Sequence, residues 1–157
     1  MPVHVRLSDN PFAPERELAE LGATLKGEGA VVSFVGLARP ASTAGTAVQG
    51  LFLDHHPRLT ERSLVEIGEA AAARFDVTAI WIVHRCGAVR PSEAIVFAAA
   101  AAAHRRAAFE AADYLMDRLK TEAVFWKRED RADGAEWIEP TPGDHRDRAR
   151  WSAPCPD

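Results

Sequence analysis

Apolar positions recur along the chain at two spacings, and the switches between them outline the elements. In "DNPFAPERELAELGATLKGEG", Pro14 stands near a helix start and acidic residues fill the first turn. Leu18, Leu21 and Leu25 share one face before the closing glycines, which predicts a short amphipathic helix. "AVVSFVG" (30–36) is β-branched and bounded by Gly36. "AVQGLFLDH" (47–55) follows the turn-rich "RPASTAGT", and both predict strands. Leu64, Ile67, Ala71 and Phe75 then recur at helical spacing with Thr60 as the cap. "TAIWIVHRCG" (78–87) predicts another strand, so a βαβ-like unit is expected here. "EAIVFAAAAAAHRRAAFEAADYLMDRLK" begins as a strand and ends as a helix, with the switch placed near His104. Beyond it Ala108, Ala111, Ala112, Leu115 and Leu119 form one apolar stripe, and "AVFW" and "EWIE" predict two more short strands. The last stretch, "PTPGDHRDRARWSAPCPD", is Pro-rich and charged, so it is expected to be extended or disordered unless a partner orders it.

Composition bounds the reading. With 157 residues, 47% hydrophobic and 27% charged, the chain is long enough to close one core, and a soluble globular domain over 1–140 with a tail over 141–157 is expected. The net charge of -4 argues against general nucleic-acid binding, so any anion site must be local. Cys86 and Cys155 form no CxxC pair, which fits a reducing compartment such as the cytoplasm. "MPVHVRLSDNPFAPERE" has no apolar signal region, and the run from Ala94 to Ala103 is far shorter than the ~20 residues a membrane span requires.

Candidate chemistry centres on "LKTEAVFWKRE", where Lys120 and Lys127 flank an apolar and aromatic run. A lysine is almost wholly protonated at neutral pH and acts as nucleophile or base only if burial or nearby cations lower its pKa. Phe125 and Trp126 are candidates for apolar cover, and Arg39, Arg105 and Arg128 for positive charge. Two solvated lysines flanking a core strand are the ordinary alternative. His104 and Arg105, with Arg106, fall at a helix start, where free N–H groups favour an anion; the plainer possibility is that Arg106 pairs with Glu110. Arg39 leaves the end of a strand in "GLARP", a place where sites gather. "LDHHP" resembles the DHH signature of metal-dependent phosphoesterases, but nothing earlier supplies the further Asp and His ligands, so His55 and His56 are read as structural strand-end residues.

Taken together, "VVSFVGLARP", "HHPRLTERSLVEI", "IVHRCGAVRPSEAIVFAAAAAAHRRAAFEAADYLMDRLKTEAVFWKRE" and "EWIE" resemble the large, catalytic subunit family of molybdopterin synthase, in the expected order from about Val31 to Glu139. The resemblance implies an α/β hammerhead fold with a mixed, mostly antiparallel sheet and packed helices. It implies a sulfurtransferase of molybdenum cofactor biosynthesis that turns cyclic pyranopterin monophosphate into a dithiolene. It also implies a partner, the small ubiquitin-like subunit whose C-terminal thiocarboxylate donates sulfur, around a central homodimer in a heterotetramer. Carried over position by position, Lys120 is the essential lysine and Lys127 the second active-site lysine. Arg39, His104, Arg105 and Glu129 match substrate-binding positions, and Phe34 and Met116 match apolar positions lining the channel for the small subunit's tail. No metal or redox cofactor is implied, because the sulfur arrives already activated. The chain departs from the family at "DHHPRL", where Asp54, His56, Arg58 and Leu59 replace the usual residues, and in the tail after Glu139. Two readings compete with this one: a non-catalytic binding module for a ubiquitin-like tail, and a lysine-dependent Schiff-base lyase.

Overall fold

A computed structural model describes residues 3–152. Strands and helices follow in the order β1 (Val3–Ser8), α1 (Pro14–Thr24), β2 (Ala30–Leu37), β3 (Val48–His55), α2 (Pro57–Arg74), β4 (Ala79–Arg85), β5 (Gly87–Val89) and β6 (Ala94–Ala102). After these come α3 (Arg105–Glu122), β7 (Phe125–Arg131), β8 (Gly134–Ile138), α4 (Pro142–Ala149) and a final 3-10 turn at Arg150–Ser152. The strands make two sheets, one ordered β1-β4-β6-β2 and the other β5-β3-β7-β8. All pairings are antiparallel except β1 with β4. The α/β, mostly antiparallel class expected from the sequence is therefore found, divided between two sheets. The βαβ-like unit is not, because β3 belongs to one sheet and β4 to the other. The parallel neighbour of β4 is β1, a strand outside the expected set.

The alanine run explains the core. Ala98, Ala100 and Ala102 of β6 face α2 and α3, while Phe97, Ala99 and Ala101 face Leu21 of α1. A strand covered on both faces has no polar side to show, so it reads as continuous apolar sequence. Its methyl groups let α3 lie close, and Leu64, Ile80, Ile82 and Leu115 close the space around it with no exposed surface. Each of these large aliphatic side chains contributes about 1.5–3 kcal/mol by leaving water.

Two local expectations need correction. α2 starts before Thr60: Pro57 occupies its first turn and His56 is the cap, its Nδ1 accepting from the Leu59 N–H at 3.1 Å. Thr60 is instead buried in the first turn, and its hydroxyl donates to the Val124 carbonyl at 2.6 Å, tying α2 to the segment leading into β7. The tail forms a helix up to Ala149, where an extended or disordered segment was expected. The Thr141 hydroxyl accepts from Asp144 N–H at 3.1 Å, the Asp144 carboxylate accepts from Thr141 N–H at 2.8 Å, and Pro142 opens the first turn. Arg148 then pairs with Glu122 at 2.8 Å and Arg150 with Asp117 at 2.6 Å, both acceptors lying on α3. Trp151 docks edge-on against Phe75 and Tyr114 and donates its indole N–H to Asp117 at 2.6 Å. The acidic face of α3, not a second protein, orders this segment. Cys155 lies outside the described residues; Cys86 is buried.

Candidate functional site

The two sheets meet where α3 ends and β7 begins. Lys120 lies in the last turn of α3, where its charge complements the unpaired carbonyls of the helix end, and its side chain is exposed. Lys127 sits in the middle of the second sheet, opposite Leu53 on β3 and Ile138 on β8. Side chains alternate along β7, so Phe125 and Lys127 share one face and Trp126 takes the other. The aromatic pair is thereby split. Phe125 turns inward and stacks on His84 of β4, with centroids 4.2 Å apart, whereas Trp126 is 52% exposed. Of the two residues expected to provide apolar cover, only Phe125 lies on the lysine's face.

Electrostatics single out Lys127. Burial is the largest influence on its amine and the charge of Lys120 the next, and the Asp144 carboxylate offsets only part of their effect; its pKa falls to about 8. At pH 7 roughly a tenth of such an amine is neutral, against a negligible fraction of a free lysine. His84 lies beneath. Burial pushes its pKa down to about 3, against the pull of the hydrogen bond to the Arg85 carbonyl, and the charges of Lys127 and Lys120 push the same way. The ring is therefore neutral, and because its Nδ1 lies 2.7 Å from a carbonyl that can only accept, Nδ1 carries the proton.

The other sequence-derived residues fall into two groups. Arg39 is exposed, just past the end of β2. That end pairs with the start of β6, the same end of the first sheet to which α3 returns Lys120. Its loop is pinned by Ala38, which donates to the Glu93 carbonyl at 2.8 Å and accepts from Ser92 at 2.7 Å. Phe34, on the edge strand β2, is 43% exposed, and Met116 packs partly buried on α3. Arg105, Phe109, Met116 and Lys120 follow one another at helical spacing, so they form a single stripe on α3. Glu129 lies on the Lys127 face of β7 but is held by Arg131, whose guanidinium donates to it at 2.8 and 3.0 Å. His104 and Arg105 are placed apart from the rest. His104 is the residue before α3 and Arg105 its first, both exposed, and at 1.5 Å rise per residue they stand about 22 Å from Lys120. One copy of the chain does not bring them to the lysines.

Sequence reasoning missed two residues here, His84 and Asp144. "IVHRCG" gave His84 no distinguishing signal. Asp144 belongs to the capping box "TPGD", a signal that was present but overlooked in a Pro-rich tail. Among the described residues, no group of three or more His, Cys, Asp or Glu side chains could hold a metal ion, which bears on the DHH-like stretch. No helix is long and apolar enough to cross a membrane.

Comparison with known proteins decides the family. The family model described as MoaE protein matches residues 7–122. The chain belongs to the MoaE family. Relatives named molybdopterin synthase catalytic subunit include one from Caulobacter vibrioides, 47% identical over 147 residues, covering 94% of this chain and 96% of that protein. Another, from Pseudomonas aeruginosa, is 44% identical over 147 residues with 94% and 97% coverage. Among solved MoaE structures, the molybdopterin biosynthesis MoaE protein from Burkholderia ambifaria superposes with a TM-score of 0.81 at 36% identity, covering 98% of this chain and 99% of that one. A molybdopterin synthase structure from Staphylococcus aureus gives a TM-score of 0.76 at 29% identity, covering 85% and 95%.

Proposed function

We propose that this MoaE-family chain is the catalytic subunit of a molybdopterin synthase. It moves sulfur from the thiocarboxylated C-terminus of a small ubiquitin-like subunit to cyclic pyranopterin monophosphate. The observation that carries this reading is the lysine pair, one amine exposed and one with its pKa lowered to about 8, joined across the α3–β7 turn.

Both reactants are anionic, and the residues suit them. Lys127, Arg39 and the charge of Lys120 stabilise phosphate and thiocarboxylate together. Lys120, accessible at its helix end, exchanges the proton as the tail's thiocarboxylate sulfur bonds to a carbon of the pterin side chain and that carbon's bond to the cyclic phosphate breaks, the phosphate oxygen leaving as an anion and opening the ring. Water then cleaves the acyl–sulfur bond, leaving sulfur on the pterin and returning the tail as a carboxylate. Phe34 and Met116 line the approach of the tail, and Glu129, braced by Arg131, borders the site. His104 and Arg105 join from a second copy of the chain, since about 22 Å of helix separates them from Lys120 within one copy. That arrangement fits a central homodimer in a heterotetramer working in the cytoplasm.

The test combines the purified chain, the thiocarboxylated small subunit and cyclic pyranopterin monophosphate, with molybdopterin as the readout. Product from wild type and its loss in Lys120→Ala are expected. Equal activity in both would overturn the lysine mechanism. A chain that binds the tail without forming product would instead be a binding module. Mixed dimers of Lys120→Ala and Arg105→Ala copies should regain up to about half the activity, because one of the two sites is then intact.

A further inference from the structure

Two junctions between strand and helix are joined through one hydroxyl. The chain leaves β3 at His55 and enters α2 through His56, and it leaves α3 and enters β7 through Ala123 and Val124. His55 and Phe125 lie opposite each other where β3 pairs with β7, so the junctions are neighbours. Thr60, with no exposed surface, bonds to both: its Oγ1 accepts from the His56 N–H at 3.0 Å and donates to the Val124 carbonyl at 2.6 Å. One turn further along α2, the Ser63 Oγ accepts from the Val124 N–H at 3.1 Å and donates to the Thr60 carbonyl at 2.7 Å. Both backbone groups of Val124 are therefore held by side chains of one helix.

We propose that Thr60 and Ser63 are positioning residues for the sulfur-transfer site, their hydroxyls fixing the α3–β7 link and with it the placement of Lys120 relative to Lys127. This rests on the function proposed above. β7 is held by its pairing with β3 and β8, and α3 by its packing on the alanines of β6, so each lysine rides on a different body. The link that joins the two bodies is short, with Val124 between Lys120 and Lys127. A hydroxyl inside a helix commonly returns to a carbonyl one turn back, as that of Ser63 does. Thr60 instead sends its proton to a carbonyl 64 residues away, and capping does not require it, because His56 fills that role. A buried hydroxyl bonded on both sides tolerates little displacement, since losing either bond leaves a backbone group unpaired. Misplacement of a reacting group by about 1 Å costs up to about a hundredfold in rate, so a clasp at this link acts on chemistry it does not touch.

Thr60→Val keeps the shape and removes the hydroxyl, and Ser63→Ala removes the second bond to Val124. Ile67→Val, on the same helix but facing the core, is the control for lost stability alone. In the complete complex, both hydroxyl variants should lower kcat for molybdopterin formation by roughly tenfold to a hundredfold, Thr60→Ser should recover most of the rate, and Ile67→Val should stay close to wild type. A second readout follows the lysines themselves. Burial and then the charge of Lys120 hold the Lys127 pKa at about 8, so a looser link should let it rise. In the isolated chain with its lysines isotopically dimethylated, NMR titration should show the Lys127 midpoint higher by roughly half a unit in Thr60→Val, and back near wild type in Thr60→Ser. If Thr60→Val does not fold, Ser63→Ala carries both measurements. A Lys127 midpoint unchanged in the folded hydroxyl variants would overturn the proposal, as would a kcat no lower than that of Ile67→Val. The titration needs no product, so a wild-type chain that makes no molybdopterin would count against the functional reading while the midpoint still decides the role of the two hydroxyls.

Discussion

The ring of His84 stacks on that of Phe125 with centroids 4.2 Å apart and planes inclined by 22°, joining β4 of the first sheet to β7 of the second, two residues before Lys127. Burial of the ring favours the neutral imidazole, and so links stability to pH. The folded-state pKa of about 3 lies below the ordinary 6.5, so between those values the unfolded chain binds the extra proton. Stability from this group is fully present above about 6.5 and is lost progressively as pH falls toward 3. Urea unfolding midpoints at pH 7.5 and pH 5 should differ in wild type. The difference should shrink in His84→Phe, which keeps the stack and removes the titrating group.

Lys127 makes the opposite kind of prediction, about activity at alkaline pH. Its amine loses its proton through about pH 8, so binding of the anionic reactants should weaken above that value, seen as a rise in KM for cyclic pyranopterin monophosphate between pH 7 and 9. Lys127→Arg keeps a positive charge throughout this range and should flatten that rise, even if kcat falls because the guanidinium is larger. A KM that rises equally in both proteins would remove Lys127 from anion binding.

Arg85 is 2% exposed, and its guanidinium is held by Glu93 at 3.0 Å and the Ala88 carbonyl at 2.8 Å. Glu93→Ala would leave a buried charge without its counter-ion, at a cost on the order of 3 kcal/mol. Because the Glu93 carboxylate also accepts from the Arg90 N–H at 3.1 Å, the turn whose Glu93 carbonyl anchors Ala38 should loosen, and the Arg39 loop with it. Chemical denaturation measures the first effect, and hydrogen exchange at the Ala38 amide the second.

The α4 strap is testable through its anchor. Asp117 accepts from both Arg150 and the Trp151 indole at 2.6 Å, and Trp151 packs edge-on against both Phe75 and Tyr114. Trp151→Ala should cost about 2 kcal/mol and expose α4 to rapid hydrogen exchange while α3 stays protected. Equal loss of protection in both helices would mean that α4 is integral to the core.

How much of this was legible in the sequence varied with the kind of signal. The strand-to-helix switch at His104 could be read because a turn residue and two arginines interrupt the alanines, and β2, β3 and β4 could be read from their β-branched content. β1 escaped notice although "VHVRLS" alternates cleanly, since a single short alternation at a chain end carries little weight until a partner strand is known. α4 has no apolar periodicity, so only its capping residues could have announced it. Lys120 and Lys127 stand out in the sequence by their flanking pattern. Nothing local distinguishes which of the two is desolvated, because that depends on the face β7 presents to His84 and on a carboxylate returning 17 residues after Lys127.

A central strand of methyl groups leaves the molecule little slack. How near α3 rests on β6 depends on Ala100, which is fully enclosed in the core between them and so acts as a spacer for the helix whose last turn carries Lys120. A bulkier residue there would tilt the rod that carries Lys120 while leaving Lys127 on its sheet, and the effect of a few added carbon atoms in the interior would be read at the protein's surface.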